Sequence, residues 1–249
     1  MNKGIVYMAT GDRYIEEAII SVTSLKQHLP DISVTIFSDR AIGHPAFDCE
    51  VLLDNPKYNW SDKIARMYTS PYEYTLFLDT DTYICADFSE IFSLLDNFDL
   101  GAVHAPYRES YHLELSEGFP EMNTGVILFK KSPQVKQFFD NWTTTYQKHV
   151  EDLQATDRRK AFPTQPAFRQ ALYESQLRIA TLPAEYNCRF IYPVSVDGEV
   201  KILHGRYPNL EFLAREINAK HEPRIFAINS KAWKFKIALH RFQQSLIAK

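Results

Sequence analysis

Two aspartates, Asp79 and Asp81, follow the apolar run at 74–78 with only Thr80 between them. Alternate residues of an extended chain point to the same side, so both carboxylates can converge on one point. Two anions so close repel unless a cation accompanies them. A hard divalent ion that takes oxygen ligands removes that repulsion, which makes the pair a candidate metal site. Aspartates also end strands and cap helices, and a D-x-D triplet is too short to decide between these roles.

The elements around the pair bear on the choice. Short apolar runs recur at 4–9, 34–38, 51–53, 74–78, 100–105, 125–130, 177–182 and 201–204. Most are continuous rather than alternating, as expected for strands covered on both faces. Between the first two, Ile15, Ala18, Ile19, Val22, Leu25 and Leu29 fall at helical spacing. The spacing predicts further helices at 61–69, 88–96, 132–149 and 165–174, with Asp87 or Ser89 capping the second. Alternating strands and helices define an α/β layered domain with a mostly parallel central sheet. In such sheets ligands sit beyond the carboxyl ends of the strands, where Asp79 and Asp81 stand. Residues 106–122 and 150–166 form long excursions, a frequent setting for function.

Composition narrows the partners. The 249 residues carry a formal charge of -3 with both signs interspersed, so no nucleic-acid partner is expected. Cys49, Cys85 and Cys188 lie far apart and form no CxxC pair, which argues against a disulfide framework or a zinc knuckle and for a reducing, cytoplasmic setting. The expected boundary places a catalytic domain at 1–210 and a basic amphipathic segment at 211–249. Within the latter, 231–249 has five Lys or Arg and no acidic residue, with Phe235, Leu239, Phe242 and Leu246 on one stripe. That stripe either packs onto the domain, the preferred reading, or lies peripherally on a membrane.

Two families end a strand in D-x-D. In haloacid-dehalogenase-type phosphohydrolases the first Asp, here Asp79, is the nucleophile. That motif normally has Thr two residues after its second Asp, where this chain has Tyr83, and it usually opens the domain. More of the chain resembles the nucleotide-sugar glycosyltransferases of the GT-A (Rossmann-like) fold, most closely family 8, the glycogenin-like group. The resemblance runs over about residues 5–206. Its ordered pieces are "ATGDRYIEEAIISVTSL", "SDKIARM", "LFLDTDTYI", "MNTGVILFK", "PTQPAF", "LPAEYNCR" and "KILHGR".

The resemblance implies a metal-dependent hexosyltransferase with a nucleotide diphosphate sugar, a UDP-sugar by preference, as donor. It assigns Asp79, Asp81 and His204 to a manganese or magnesium ion on the donor diphosphate, with Thr80 beside the donor. Lys63 would contact the donor, Ala9, Thr10, Gly11 and Tyr14 the base and ribose, and Asn123, Thr124 and Gly125 the sugar. Gln165 would stand at the reacting face and Arg206 on phosphate. Family 8 retains anomeric configuration. Gln165 is too weak a nucleophile for a covalent intermediate, so front-face attack assisted by the leaving phosphate fits better. Inversion would need a carboxylate base, with Glu121, Asp152 or Glu185 as candidates. Two departures weaken donor-sugar identity: Thr164 precedes Gln165 where relatives have Asp, and Gly205 and Arg206 follow His204 directly. A catalytically silent nucleotide-sugar binder is the further alternative. The acceptor, whether saccharide, lipid-linked or protein, is not legible.

Overall fold

A computed structural model describes residues 2–108, 113–156 and 162–247. The chain opens with β1 (Lys3–Ala9), α1 (Asp12–His28), β2 (Ser33–Ser38) and β3 (Cys49–Leu52). It continues through α2 (Trp60–Met67), β4 (Tyr74–Leu78), β5 (Thr82–Ile84), β6 (Leu100–His104) and β7 (Met122–Lys130). Then come α3 (Pro133–Thr156), α4 (Thr164–Tyr173), β8 (Ile179–Leu182), β9 (Val194–Val196), β10 (Ile202–His204), α5 (Leu210–Ile217), β11 (Arg224–Phe226) and α6 (Lys231–Ile247).

Seven strands form one sheet in the order β3-β2-β1-β4-β7-β6-β8. All neighbours are parallel except β7, which runs antiparallel to both β4 and β6. The continuous apolar strands are explained by cover on both faces. Ile5, Tyr7, Leu76, Leu78, Val126 and Leu128 face α1, which contributes Ile15, Ala18, Val22 and Leu25. Their chain neighbours Val6, Phe77, Ile127 and Phe129 face the opposite layer, built on Ile64, Phe138, Trp142 and Phe168 from α2, α3 and α4. A third apolar cluster joins Cys188, Phe190 and Leu203 to Phe212, Leu213 and Trp233, outside the main sheet.

Several expectations need correction. The segment predicted as a helix at 88–96 is a 3₁₀ helix, Ser89–Asp96, with Asp87 Oδ1 accepting from the Ser89 N–H. The strands β5, β9 and β11 escape the pattern because each is three residues long and pairs outside the main sheet. The stripe on α6 is also different. Trp233 is buried, its ring 4.9 Å from Phe226, and His240 stacks on Phe212 at 3.9 Å, while Phe235 and Leu239 are 72% and 46% exposed. The side chains of Phe242 and Leu246 lie outside the described residues. No helix among the described residues is long and apolar enough to cross a membrane.

Candidate metal and nucleotide-sugar site

Asp79 leaves the end of β4 and Asp81 precedes β5, so the two carboxylates stand at the carboxyl edge of the sheet. β5 pairs antiparallel with β10, placing His204 opposite Thr82, and Gly205 N–H donates to the Asp81 carbonyl at 2.9 Å. This pairing carries the imidazole to the acidic pair. His204 Nε2 lies 3.3 Å from Asp81 Oδ1 and 3.7 Å from Asp79 Oδ2. One ligand atom from each of the three residues falls within 4.8 Å of the others. His204 is 1% exposed, so the imidazole is committed to this point.

The donor set of two carboxylates and one imidazole suits manganese or magnesium. Space has been kept there. Because β7 is antiparallel to β4, its first residues lie beside the end of β4, and Asp79 N–H donates to the Gly125 carbonyl at 2.7 Å. A Cβ on Gly125 would sit 2.0 Å from His204 Cε1 and 2.7 Å from Asp79 Oδ2. Only glycine lets the strand pass so close to both ligands.

Cations surround the pair. Lys63 is buried; its Nζ donates to Asp79 Oδ1 at 2.7 Å and to the Thr124 carbonyl at 2.7 Å. It projects from α2, whose first turn is capped by Asn59 Oδ1 accepting from Ser61 N–H. Arg206 makes a two-pronged pair with Glu17, Nε at 2.7 Å and Nη2 at 2.9 Å, and its Nη1 reaches Asp81 Oδ2 at 3.2 Å. Burial pushes the Asp81 carboxyl up. The hydrogen bond and charge of His204, with the guanidinium groups of Arg206 and Arg189, outweigh that and hold it well below the usual carboxylate range. The Glu17 hydrogen bond raises Arg206, which stays charged. Thr80 Oγ1 also donates to Glu17 Oε2, at 3.1 Å.

The remaining residues named from sequence occupy the same edge. Ala9 is buried at the end of β1, and Gly11, at φ 88°, turns the chain into α1 with its N–H on Asp39 Oδ1 at 3.1 Å. Tyr14 is 45% exposed on the first turn of α1. Asn123, Thr124 and Gln165 are buried: Asn123 Nδ2 donates to Gln165 Oε1 at 2.8 Å, and the Thr124 and Thr164 hydroxyls are 2.9 Å apart. Thr164 therefore contributes a neutral hydroxyl pair here. Of the three base candidates, Glu121 is buried against Gln165 Nε2, Glu185 is buried on the Asp197 N–H, and Asp152 is exposed on α3.

Sequence reasoning missed Glu17, Asp39, Asn187 and Arg189. Asp39 was findable, since it follows β2 at the carboxyl edge as Asp79 follows β4. Glu17 carries no signal, because an acidic residue on an exposed helical turn is ordinary. A cavity of about 350 Å³ opens beside the site, lined by Glu17, Thr80, Asp81 and Arg206 and, on its apolar side, by Ile20 and Tyr207.

No family model matches the sequence, and no curated protein matches it. Solved structures do match. Over 92% of this chain the structure is similar to the glycosyltransferase GlyE of Streptococcus pneumoniae TIGR4, with 16% identity and a TM-score of 0.51; the chain spans about 55% of the length of GlyE. It is similar to the galactosyltransferase LgtC, solved with donor and acceptor sugar analogues, at 14% identity and a TM-score of 0.52 over 82% of this chain and 87% of LgtC. Mouse xyloside xylosyltransferase 1 matches at 16% identity and a TM-score of 0.54, over 83% of this chain and 98% of that one. The class so defined is the GT-A glycosyltransferase fold, with a mostly parallel seven-stranded sheet flanked by helices. Within that class, this chain is one whose sheet edge brings Asp79, Asp81 and His204 together.

Proposed function

We propose that this protein is a metal-dependent glycosyltransferase that moves a hexose from a nucleotide diphosphate sugar, a UDP-sugar by preference, to an acceptor hydroxyl with retention of configuration. The convergence of Asp79, Asp81 and His204 around a position cleared by Gly125 carries the reading. The three residues would hold manganese or magnesium, which would supply Lewis-acid charge to a departing diphosphate. Arg206 and Lys63, each paired with an aspartate of the site, would attract the same diphosphate, and a guanidinium forms bidentate pairs with phosphate oxygens as it does with carboxylates. Tyr14 offers an exposed ring for the base. Asn123 and Gln165 would orient the sugar, and positioning supplies much of the rate. Retention follows the family resemblance; Glu121 and Glu185 are buried on other partners, and Asp152 is exposed on α3.

The test is incubation with Mn²⁺ and a panel of nucleotide sugars. Slow release of UDP from one sugar, with thermal stabilisation by that sugar, is the expected result. Stabilisation without release identifies a silent binder. Phosphate release from monoesters, with no nucleotide preference, identifies the phosphohydrolase.

We further propose a cytoplasmic protein that touches an anionic membrane surface through α6. Phe235 and Leu239 stand exposed beside the exposed Lys231 and Lys234 on a helix without acidic residues. Deleting the helix would uncover the pocket of Trp233, so point changes are the cleaner probe. The double variant Phe235→Glu, Leu239→Glu should lose binding to phosphatidylserine vesicles with an unchanged melting temperature. Equal vesicle binding by wild type and variant would refute the contact.

A further inference from the structure

A single hydrogen-bonded file of buried side chains leads from Glu121 to His204. Gln165 Nε2 donates to Glu121 Oε1 at 3.1 Å, and Asn123 Nδ2 donates to Gln165 Oε1 at 2.8 Å. Asn187 Nδ2 donates to Asn123 Oδ1 at 2.8 Å, and Asn187 Oδ1 lies 2.8 Å from His204 Nδ1. Every member is at most 8% exposed, so none exchanges its partner for water at low cost.

The direction of this file is set by a group that cannot reverse. The Gly125 backbone N–H can only donate, and it points at Asn123 Oδ1 from 2.9 Å. That atom is therefore the amide oxygen, and the Asn123 amino group faces Gln165. Gln165 must then meet the Asn123 amino group with its own oxygen, so its amino group faces Glu121. Asn187 must meet the Asn123 oxygen with its own amino group, so its oxygen faces the imidazole. His204 Nδ1 then carries a hydrogen, so Nε2, the nitrogen beside Asp79 and Asp81, is the one left for a metal.

We propose that Asn187 is a positioning residue for the metal: it selects the His204 tautomer whose Nε2 can ligate, and locks the ring plane toward the two aspartates. The inference rests on the metal-site reading above. It adds a residue with no role in the function proposed there, one that touches neither carboxylate. Ligating histidines commonly depend on such an outer partner, whose loss costs about 10–100-fold in metal affinity.

The experiment is a Mn²⁺ titration followed by the electron paramagnetic resonance of the free ion, with no donor present. Wild type, Asn187→Leu and Asn187→Asp are compared, each with its metal-free melting temperature. Asn187→Leu should weaken Mn²⁺ binding by about 10–100-fold, whereas Asn187→Asp, which keeps an acceptor on Nδ1–H but sets its other oxygen against Asn123 Oδ1, should bind Mn²⁺ more tightly than Asn187→Leu and less tightly than wild type. A purely structural Asn187 would lower the melting temperature of both variants and leave the Mn²⁺ dissociation constant where it was; that outcome overturns the proposal. Should Asn187→Leu not fold, nitrogen-15 histidine spectra of Mg²⁺-loaded wild type decide, with hydrogen on Nδ1 of His204 expected and hydrogen on Nε2 fatal. Absence of Mn²⁺ binding by wild type itself would strike at the metal reading, and is distinguishable from a failure of the Asn187 proposal alone.

Discussion

Gly125→Ala should abolish Mn²⁺ binding and nucleotide-sugar turnover while the protein still folds. The added Cβ would lie 2.0 Å from His204 Cε1. An ordinary carbon–carbon contact is about 3.5 Å, so the ring must retreat by about 1.5 Å. His204 is buried and held at Nδ1 by Asn187, which leaves it little room to do so. Overpacking of this kind costs about 1–3 kcal/mol of stability. The functional loss should be larger, at least about 100-fold in Mn²⁺ affinity, or about 2.8 kcal/mol. Metal titration and thermal melting of the same preparation check both numbers, and an alanine variant with wild-type Mn²⁺ affinity would show that the ion sits elsewhere.

Asp81→Ala should remove metal-dependent donor binding altogether. A direct carboxylate ligand is worth more than the about 10–100-fold of an outer-shell partner, and turnover should fall by roughly 100- to 1,000-fold or more, as when a charge-stabilising group is removed from other enzymes. The fold should persist, because the Gly205 N–H bonds the Asp81 backbone carbonyl rather than its side chain. Stability should still drop somewhat near pH 7. The carboxyl is held below its ordinary range in the folded protein, so its contribution is present above the unfolded pKa of about 3.8 and is lost as pH falls through the lower folded value. The difference in melting temperature between wild type and Asp81→Ala should accordingly shrink as pH falls below about 4. Donor affinity equal to wild type in Asp81→Ala would falsify the site.

Much of this arrangement was legible from residue order. The run at 74–78 ending in Asp79 and Asp81 reads as a buried strand delivering two carboxylates, and β4 does so from the middle of the sheet. The helical spacing of Ile15, Ala18, Val22 and Leu25 reads as one face, and that face lies on β1 and β4. Lys63 was harder. A lysine in the first turns of an amphipathic helix is usually solvated, whereas here it is buried with two acceptors. Glu17 and Asn187 stand in pieces that carry the resemblance, but neither had a role there, since each acquires it from a partner elsewhere in the chain.

The sequence by itself determined the strand and helix periods, the two-sided burial of the sheet and the placing of an acidic pair at a strand end. These follow from local spacing, which a chain expresses wherever apolar side chains must leave water. The resemblance names what joins that pair; tertiary structure decided how it gets there. His204 arrives because β10 pairs with a three-residue strand that no periodicity announces, and Gly125 because β7 runs against its neighbours. It also decided which stripe of α6 meets the domain, through Trp233 and His240 rather than Phe235 and Leu239. Register and strand direction are set by which surfaces meet across the whole fold, so the spacing of residues along the chain carries no record of them.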